Sequence, residues 1–247
     1  MRLCAFVAIN CILESKKVNN TYPSITKHHK MKKEEKTLKL EKLFDQWVSI
    51  NPEYKGKFKK DGIICEDKFE KQKIKILFLC KEGNKSKSEE SAKEGDYRSW
   101  WNEEALYGMF SIRIGSWAYG LLNGLEDIGN LSDQQIKEGL QSIAFMNLKK
   151  TAGDHISNFT TIKECIQKDK DLIIKQINII DPDIIIGGIS WESLWFELFD
   201  KLEKTKPNLF KWKNKLIVHF YHPSARGKGI SNKTLYDNLR NLISSGV

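Results

Sequence analysis

Apolar positions along the chain fall into two kinds of run, and their spacing separates helices from strands. Leu40, Leu43, Phe44 and Trp47 recur at helical spacing and predict a first amphipathic helix, which Asn51-Pro52 ends. Four short, flat apolar runs follow, Ile74–Cys80, Ile143–Leu148, Asp183–Ile186 and Leu216–Phe220. Runs of this length suit strands covered on both faces. Helical patterns lie between them. Ala105–Leu122 is long and aromatic, Ile162–Ile180 carries Ile166, Ile173, Ile177 and Ile180, and Trp191–Leu202 holds Leu194, Trp195, Leu198 and Phe199 on one side. A last helix is expected over Asn232–Ile243, after a loop rich in Gly and Ser. Strand and helix alternate, which predicts an α/β/α sandwich of three layers around a four-stranded parallel sheet.

Residues 14–36 are polar and lysine-rich with no periodic apolar face, so residues 1–36 read as a flexible N-terminal extension and 37–247 as one domain. Met1–Leu13 resembles a short signal-peptide core behind Arg2, but no small-residue cleavage site follows, and Met31 opens a more typical start. No apolar run is long enough to span a bilayer. Cys4, Cys11, Cys65, Cys80 and Cys165 form no CxxC pair, and the expectation is reduced thiols in a cytoplasmic protein. The formal net charge of +9 suits a polyanion such as nucleic acid, and equally describes a merely lysine-rich surface.

Parallel strands point one way, so the segments leaving their carboxyl ends share an edge, where ligands bind. Cys80-Lys81-Glu82-Gly83-Asn84 leaves the first run and Met146-Asn147-Leu148-Lys149-Lys150-Thr151 ends the second. Gly187-Gly188-Ile189-Ser190 follows the third, and Tyr221-His222-Pro223-Ser224-Ala225-Arg226-Gly227 the fourth. A carboxylate, an amide, a glycine turn and a histidine with an arginine therefore converge. His219-x-x-His222 is not read as a metal pair, because positions three apart on a strand face opposite ways.

These segments resemble motifs of the uracil-DNA glycosylase superfamily. His222-Pro223-Ser224 is similar to its His-Pro-Ser motif, and Phe145–Lys150 and Asp181–Gly187 resemble two strands of its iron–sulfur branch. Lys81-Glu82-Gly83-Asn84 sits where that branch has Gly-Glu-Ala-Pro-Gly, and the likeness covers about residues 74–245. Thr151 stands where the branch has a cysteine ligand, so no cluster, other metal or cofactor is expected. The resemblance implies a monofunctional DNA glycosylase, a monomer that flips a base out of DNA and hydrolyses its N-glycosidic bond.

Under that resemblance Glu82 orients or deprotonates water beside a cationic sugar, His222 donates to the leaving base, and Asn147 reads the base edge. Gly83, Asn84, Tyr97 and Trp100 fall in the base pocket, the aromatics for stacking. Ser190, Ser224, Arg226, Lys228 and Lys149 are the DNA-binding candidates, with Arg226 in the position of the family's wedge loop. Ser190 also reads as a helix cap, and Gly187-Gly188 as backbone bare enough for a phosphate or as a plain turn. Trp117, Tyr119 and Phe110 read as helix core. Gly83 cannot form the wall by which a tyrosine excludes 5-substituted bases in uracil-specific relatives, so a 5-substituted or glucosylated cytosine, as in phage DNA, is the favoured substrate and uracil a second. Tyr97 or Trp101 is the candidate to restore that wall. A phage-defence role follows as an expectation. The competing readings are a catalytically inactive nucleic-acid-binding module of the same fold and a small-molecule α/β enzyme.

Overall fold

The computed structural model describes residues 28–84, 93–103, 106, 108–153 and 156–245. In chain order come α1 (His28–Ile50), β1 (Lys59–Lys60), β2 (Gly62–Ile63), α2 (Glu66–Lys71), β3 (Ile76–Cys80), β4 (Gly83–Asn84), β5 (Gly95–Asp96), α3 (Tyr97–Glu103) and α4 (Gly108–Leu122). Then follow α5 (Asp133–Gln141), β6 (Ala144–Asn147), β7 (Ala152–Gly153), α6 (Phe159–Ile180), β8 (Ile184–Gly187), α7 (Ser193–Leu198), β9 (Glu203–Lys206), β10 (Leu209–Trp212), β11 (Lys215–His219) and α8 (Asn232–Ser245).

The expected apolar runs become β3, β6, β8 and β11, but the four-stranded parallel sheet needs correction. The main sheet is mixed and seven-stranded, in the order β2-β6-β3-β8-β11-β10-β9. β3 pairs in parallel with β6 and β8, and β8 with β11. The additional strands are antiparallel: β2 on β6 at one side, and β10 on β11 then β9 on β10 at the other. Their periods are too short to stand out, and turn geometry builds them instead. Asn208 and Lys213 adopt positive φ at the two reversals, giving tight turns after Pro207 and Trp212.

Alternation along the buried strands divides the core. Leu77, Leu79, Ala144, Met146, Ile185 and Ile217 pack with Leu40, Phe44 and Trp47 of α1 and Ile166, Ile173 and Ile177 of α6. Ile76, Phe78, Phe145, Ile186 and Val218 pack on the other face with Ile114 and Trp117 of α4 and Leu235 and Leu239 of α8. Helices thus cover both faces. α5 went unread, although Ser132 and Gln135 form a full capping box at its start. α1 runs through residues 28–36 of the stretch read as tail, and Lys36 Nζ donates to Ile180 O at 2.9 Å. Residues 1–27 lie outside the described ones.

One buried ion pair joins these parts. Asp61, between β1 and β2, and Lys150, past β6, are both fully buried, with Lys150 Nζ 2.7 Å from Asp61 Oδ1. Asp61 Oδ2 accepts from Asn147 N at 2.8 Å, and Oδ1 from Gln176 Nε2 of α6 at 2.7 Å. Lys150 Nζ also lies 5.1 Å from the Trp47 ring centroid. Removing one member leaves the other charged in the core. Asp61→Asn is therefore expected to lower unfolding free energy in urea titrations by about 3–5 kcal/mol. A loss below about 1 kcal/mol, the range of an exposed pair, would show that the pair does not hold the sheet edge.

Candidate active site

The chain passes from β3 to β6 on one side of it, then crosses to β8 on the other. β3 is thus a topological switch point, where α/β sheets open a crevice at their carboxyl ends. Pairing continues beyond the strands: Leu148 N donates to Cys80 O at 3.0 Å and Lys149 N to Lys81 O at 2.8 Å. β4 then pairs with β7, Gly83 opposite Ala152 and Asn84 opposite Gly153. This extension places Lys149 Nζ 2.6 Å from Glu82 Oε2. The Glu82 carboxyl packs on Gly153, where a Cβ would collide with it.

Opposite lies His222, just past β11. A Cβ on Gly188 would sit 3.0 Å from His222 Cα. The absent side chains of Gly187 and Gly188 make room for the Trp195 ring and the His222 segment. Ser224 N donates to His222 Nδ1 at 3.2 Å. An accepting Nδ1 leaves the proton of the neutral ring on Nε2. Burial, with the charge of Lys81, pulls the His222 pKa down to about 4. The imidazole is therefore neutral at physiological pH. Arg113, buried in α4, donates to Pro223 O at 2.8 Å and Ala225 O at 2.6 Å and so fastens this loop from beneath.

Lys81, Glu82, Asn84, Ser190, His222 and Ser224 line one cleft of about 880 Å³. Lys81 Nζ donates to Ser190 Oγ at 2.9 Å and lies 5.2 Å from the Trp191 ring centroid. Ser190 thus serves Lys81 across the cleft and does not cap the next helix, whose N-cap is Glu192. His219 lines the same cleft, and its Nδ1 accepts from Trp195 Nε1 at 3.1 Å.

Asn147 is not among the residues lining this cleft. It is 2% exposed, on the Phe145 face of β6, and its Oδ1 is buried with no hydrogen-bond partner among the described residues. Around it stands an aromatic layer. Phe145 meets Tyr97, Trp101 and Phe110 with ring centroids 5.6, 4.5 and 5.8 Å away, and Phe110 lies 5.4 Å from the His222 ring. The space that Gly83 leaves empty is taken: a Cβ there would collide with the Tyr97 hydroxyl. Tyr97 thus stands between the first motif and the Asn147 strand. Trp100 is exposed beside it, 6.2 Å from the Tyr97 ring. Arg226 and Lys228 project from the exposed loop past His222, outside the lining of the cleft.

Several residues of this arrangement escaped the motif reading. Arg113 is a charge on the buried face of an apolar helix, a pattern that marks a buried partner. Phe110 packs against the core as its helix reading predicts, and its ring also meets that of His222. Lys81 carries no signal of its own in the sequence beyond adjoining Glu82. For the Asp61–Lys150 pair, 89 residues apart, no local signal exists.

Fold and site define an α/β protein with a carboxylate and a neutral histidine in a cleft at the sheet's switch point. No protein-family model matches this chain, and no curated protein matches it.

The depressed His222 value has a definite sign. The unfolded chain binds its proton near the ordinary 6.5, the folded chain only near 4. The stability tied to the neutral ring is complete above about pH 6.5 and is lost as pH falls towards 4. Urea unfolding at pH 7, 5.5 and 4.5 should show the wild type losing more stability than His222→Gln. Parallel losses would contradict the assignment.

Proposed function

We propose that this protein is a DNA glycosylase that hydrolyses the N-glycosidic bond of a flipped-out, modified pyrimidine and leaves an abasic site. The observation that carries the reading is the placing of Glu82 and His222 in one cleft, opposite in character: a carboxylate with little exposed surface and a neutral imidazole. Base loss develops positive charge on the sugar and negative charge on the base oxygens. A fixed carboxylate stabilises the first and steers water to C1′, and an imidazole N–H donates to the second. Lys149 holds the Glu82 carboxylate in position. The unpartnered Asn147 Oδ1 suits a base N–H donor, since a buried acceptor left unpaired costs about 1–3 kcal/mol. Arg226, Lys228 and Ser224 supply phosphate contacts at the mouth.

Which pyrimidine enters turns on Tyr97. A base substituted at carbon 5 needs its hydroxyl to move off Gly83, whereas unsubstituted uracil makes a smaller demand. The second reading, an inactive nucleic-acid-binding module, draws on the same filled space and on the absence of Asn147 from the cleft lining.

Matched oligonucleotides carrying uracil, a thymine mismatch, 5-hydroxymethylcytosine or its glucosylated form, treated with alkali to reveal abasic sites, distinguish these readings. Release of at least one base is expected, and the order of 5-substituted cytosines and uracil reads whether the Tyr97 hydroxyl moves off Gly83. Glu82→Gln and His222→Ala should each slow it by roughly 10² or more without unfolding the protein. Tight DNA binding with no release from any of them would leave the inactive module. In a separate comparison, Tyr97→Ala should shift release towards 5-substituted bases over uracil by about tenfold, the scale of a small steric change in a pocket. An unchanged ratio would remove Tyr97 from the wall.

A further inference from the structure

Lys81 is a cleft group for which base hydrolysis has no use, and its surroundings are unusual for a lysine. It leaves the carboxyl end of the central strand β3 directly before Glu82 and lines the same cleft as Glu82 and His222. Among the described residues it makes no ion pair: its Nζ is held by the Ser190 hydroxyl at 2.9 Å and faces the Trp191 ring. The adjacent carboxylate, its natural counterion, is taken by Lys149 at 2.6 Å. A lysine ammonium is a strongly hydrated point charge whose pKa shifts readily when it is buried. This one is half-buried against a neutral donor–acceptor and an aromatic face, and burial lowers its pKa. Burial eases loss of the Lys81 proton to give the free amine, the nucleophilic form, while the Trp191 face and the Glu82 charge hold the resting group as the ammonium.

We propose that Lys81 is the nucleophile of an abasic-site lyase, which forms an imine with C1′ of an abasic deoxyribose and cuts the strand on its 3′ side. The step extends the glycosylase reading, since an abasic site is the product of that reaction. The ring-opened sugar presents an aldehyde at C1′. The Lys81 Nζ lone pair forms the N–C1′ bond, and the carbinolamine loses water to give a protonated imine. Glu82 takes a proton from C2′, the electron pair forms the C1′–C2′ enamine, and this expels the 3′ phosphate as the C3′–O bond breaks. Water then hydrolyses the conjugated imine, returning the free amine and an unsaturated aldehyde at the strand end. No electron is gained or lost overall, and water is the only co-reactant.

The test uses the full-length protein and an oligonucleotide that already carries an abasic site, so no base release is required. Sodium cyanoborohydride reduces an imine to a stable amine and traps the complex. A covalent protein–DNA adduct is expected, with the modified peptide containing Lys81 in mass spectrometry and with a 3′ unsaturated aldehyde product when the reductant is omitted. Lys81→Arg, which keeps the charge but not the nucleophile, should reduce trapping at least tenfold. The proposal is overturned if no adduct forms, if the adduct maps to another lysine, or if Lys81→Arg traps as well as the wild type. Mapping on the wild type decides the matter should Lys81→Arg fail to fold. The two readings separate cleanly: base release without trapping removes the lyase alone, and trapping at Lys81 without release of any base removes the glycosylase alone.

Discussion

The buried Asp61–Lys150 pair is the contact on which the rest of the site depends. Two opposite charges in a core must satisfy one another and every remaining lone pair, or the desolvation of each goes uncompensated. Asp61 does so by accepting from Lys150, from Gln176 and from the backbone N–H of Asn147. One carboxylate therefore ties the edge strand β2, the end of β6 and helix α6 together. The trajectory of the chain past β6 follows from it. With Lys150 committed to the core, the preceding Lys149 is left to meet Glu82 across the extended β3–β6 pairing. The core pair and the cleft pair are two consequences of one strand ending.

The site above is organised by unequal sharing of charge. Glu82 keeps its carboxylate beside Lys149, while Lys81 is left with a hydroxyl and a ring. The positive charge of Lys81, added to burial, suppresses protonation of His222. Arg113 is drawn inward to two carbonyls of the 223–225 loop and so fixes where the imidazole stands. The side chains that meet there come from separate strand ends and from α4, and each is held by a partner that does no chemistry in the proposed reaction.

The glycines of the site illustrate how a motif's meaning depends on packing. Gly83 read as an open pocket wall, yet the Tyr97 hydroxyl occupies its place. Gly187 and Gly188 read as a bare approach for phosphate or as a plain turn, and the Trp195 ring and the His222 backbone take the space of their absent side chains. In each case the absence of a side chain was visible in the sequence. For Gly83 the sequence offered Tyr97 or Trp101 and packing selects Tyr97; the occupants at Gly187 and Gly188 were not visible, because they arrive from a helix eight residues along the chain and from beyond a neighbouring strand.

The sequence by itself determined the alternation of strand and helix, the four buried apolar strands, and the arrival of Glu82, Asn147, Ser190 and His222 at the carboxyl ends of those strands. These follow from local periodicity and from the rule that parallel strands share an edge. The capping box of α5 and the inward charge of Arg113 were legible there too. Tertiary structure alone decided the antiparallel strands β2, β9 and β10, the burial of Asn147, the choice of Tyr97 over Trp101 against Gly83 and the joining of Asp61 to Lys150. The physical reason is the same for all four. Burial, ion pairing and strand register are set between residues far apart in sequence, where no period or motif couples one position to the other.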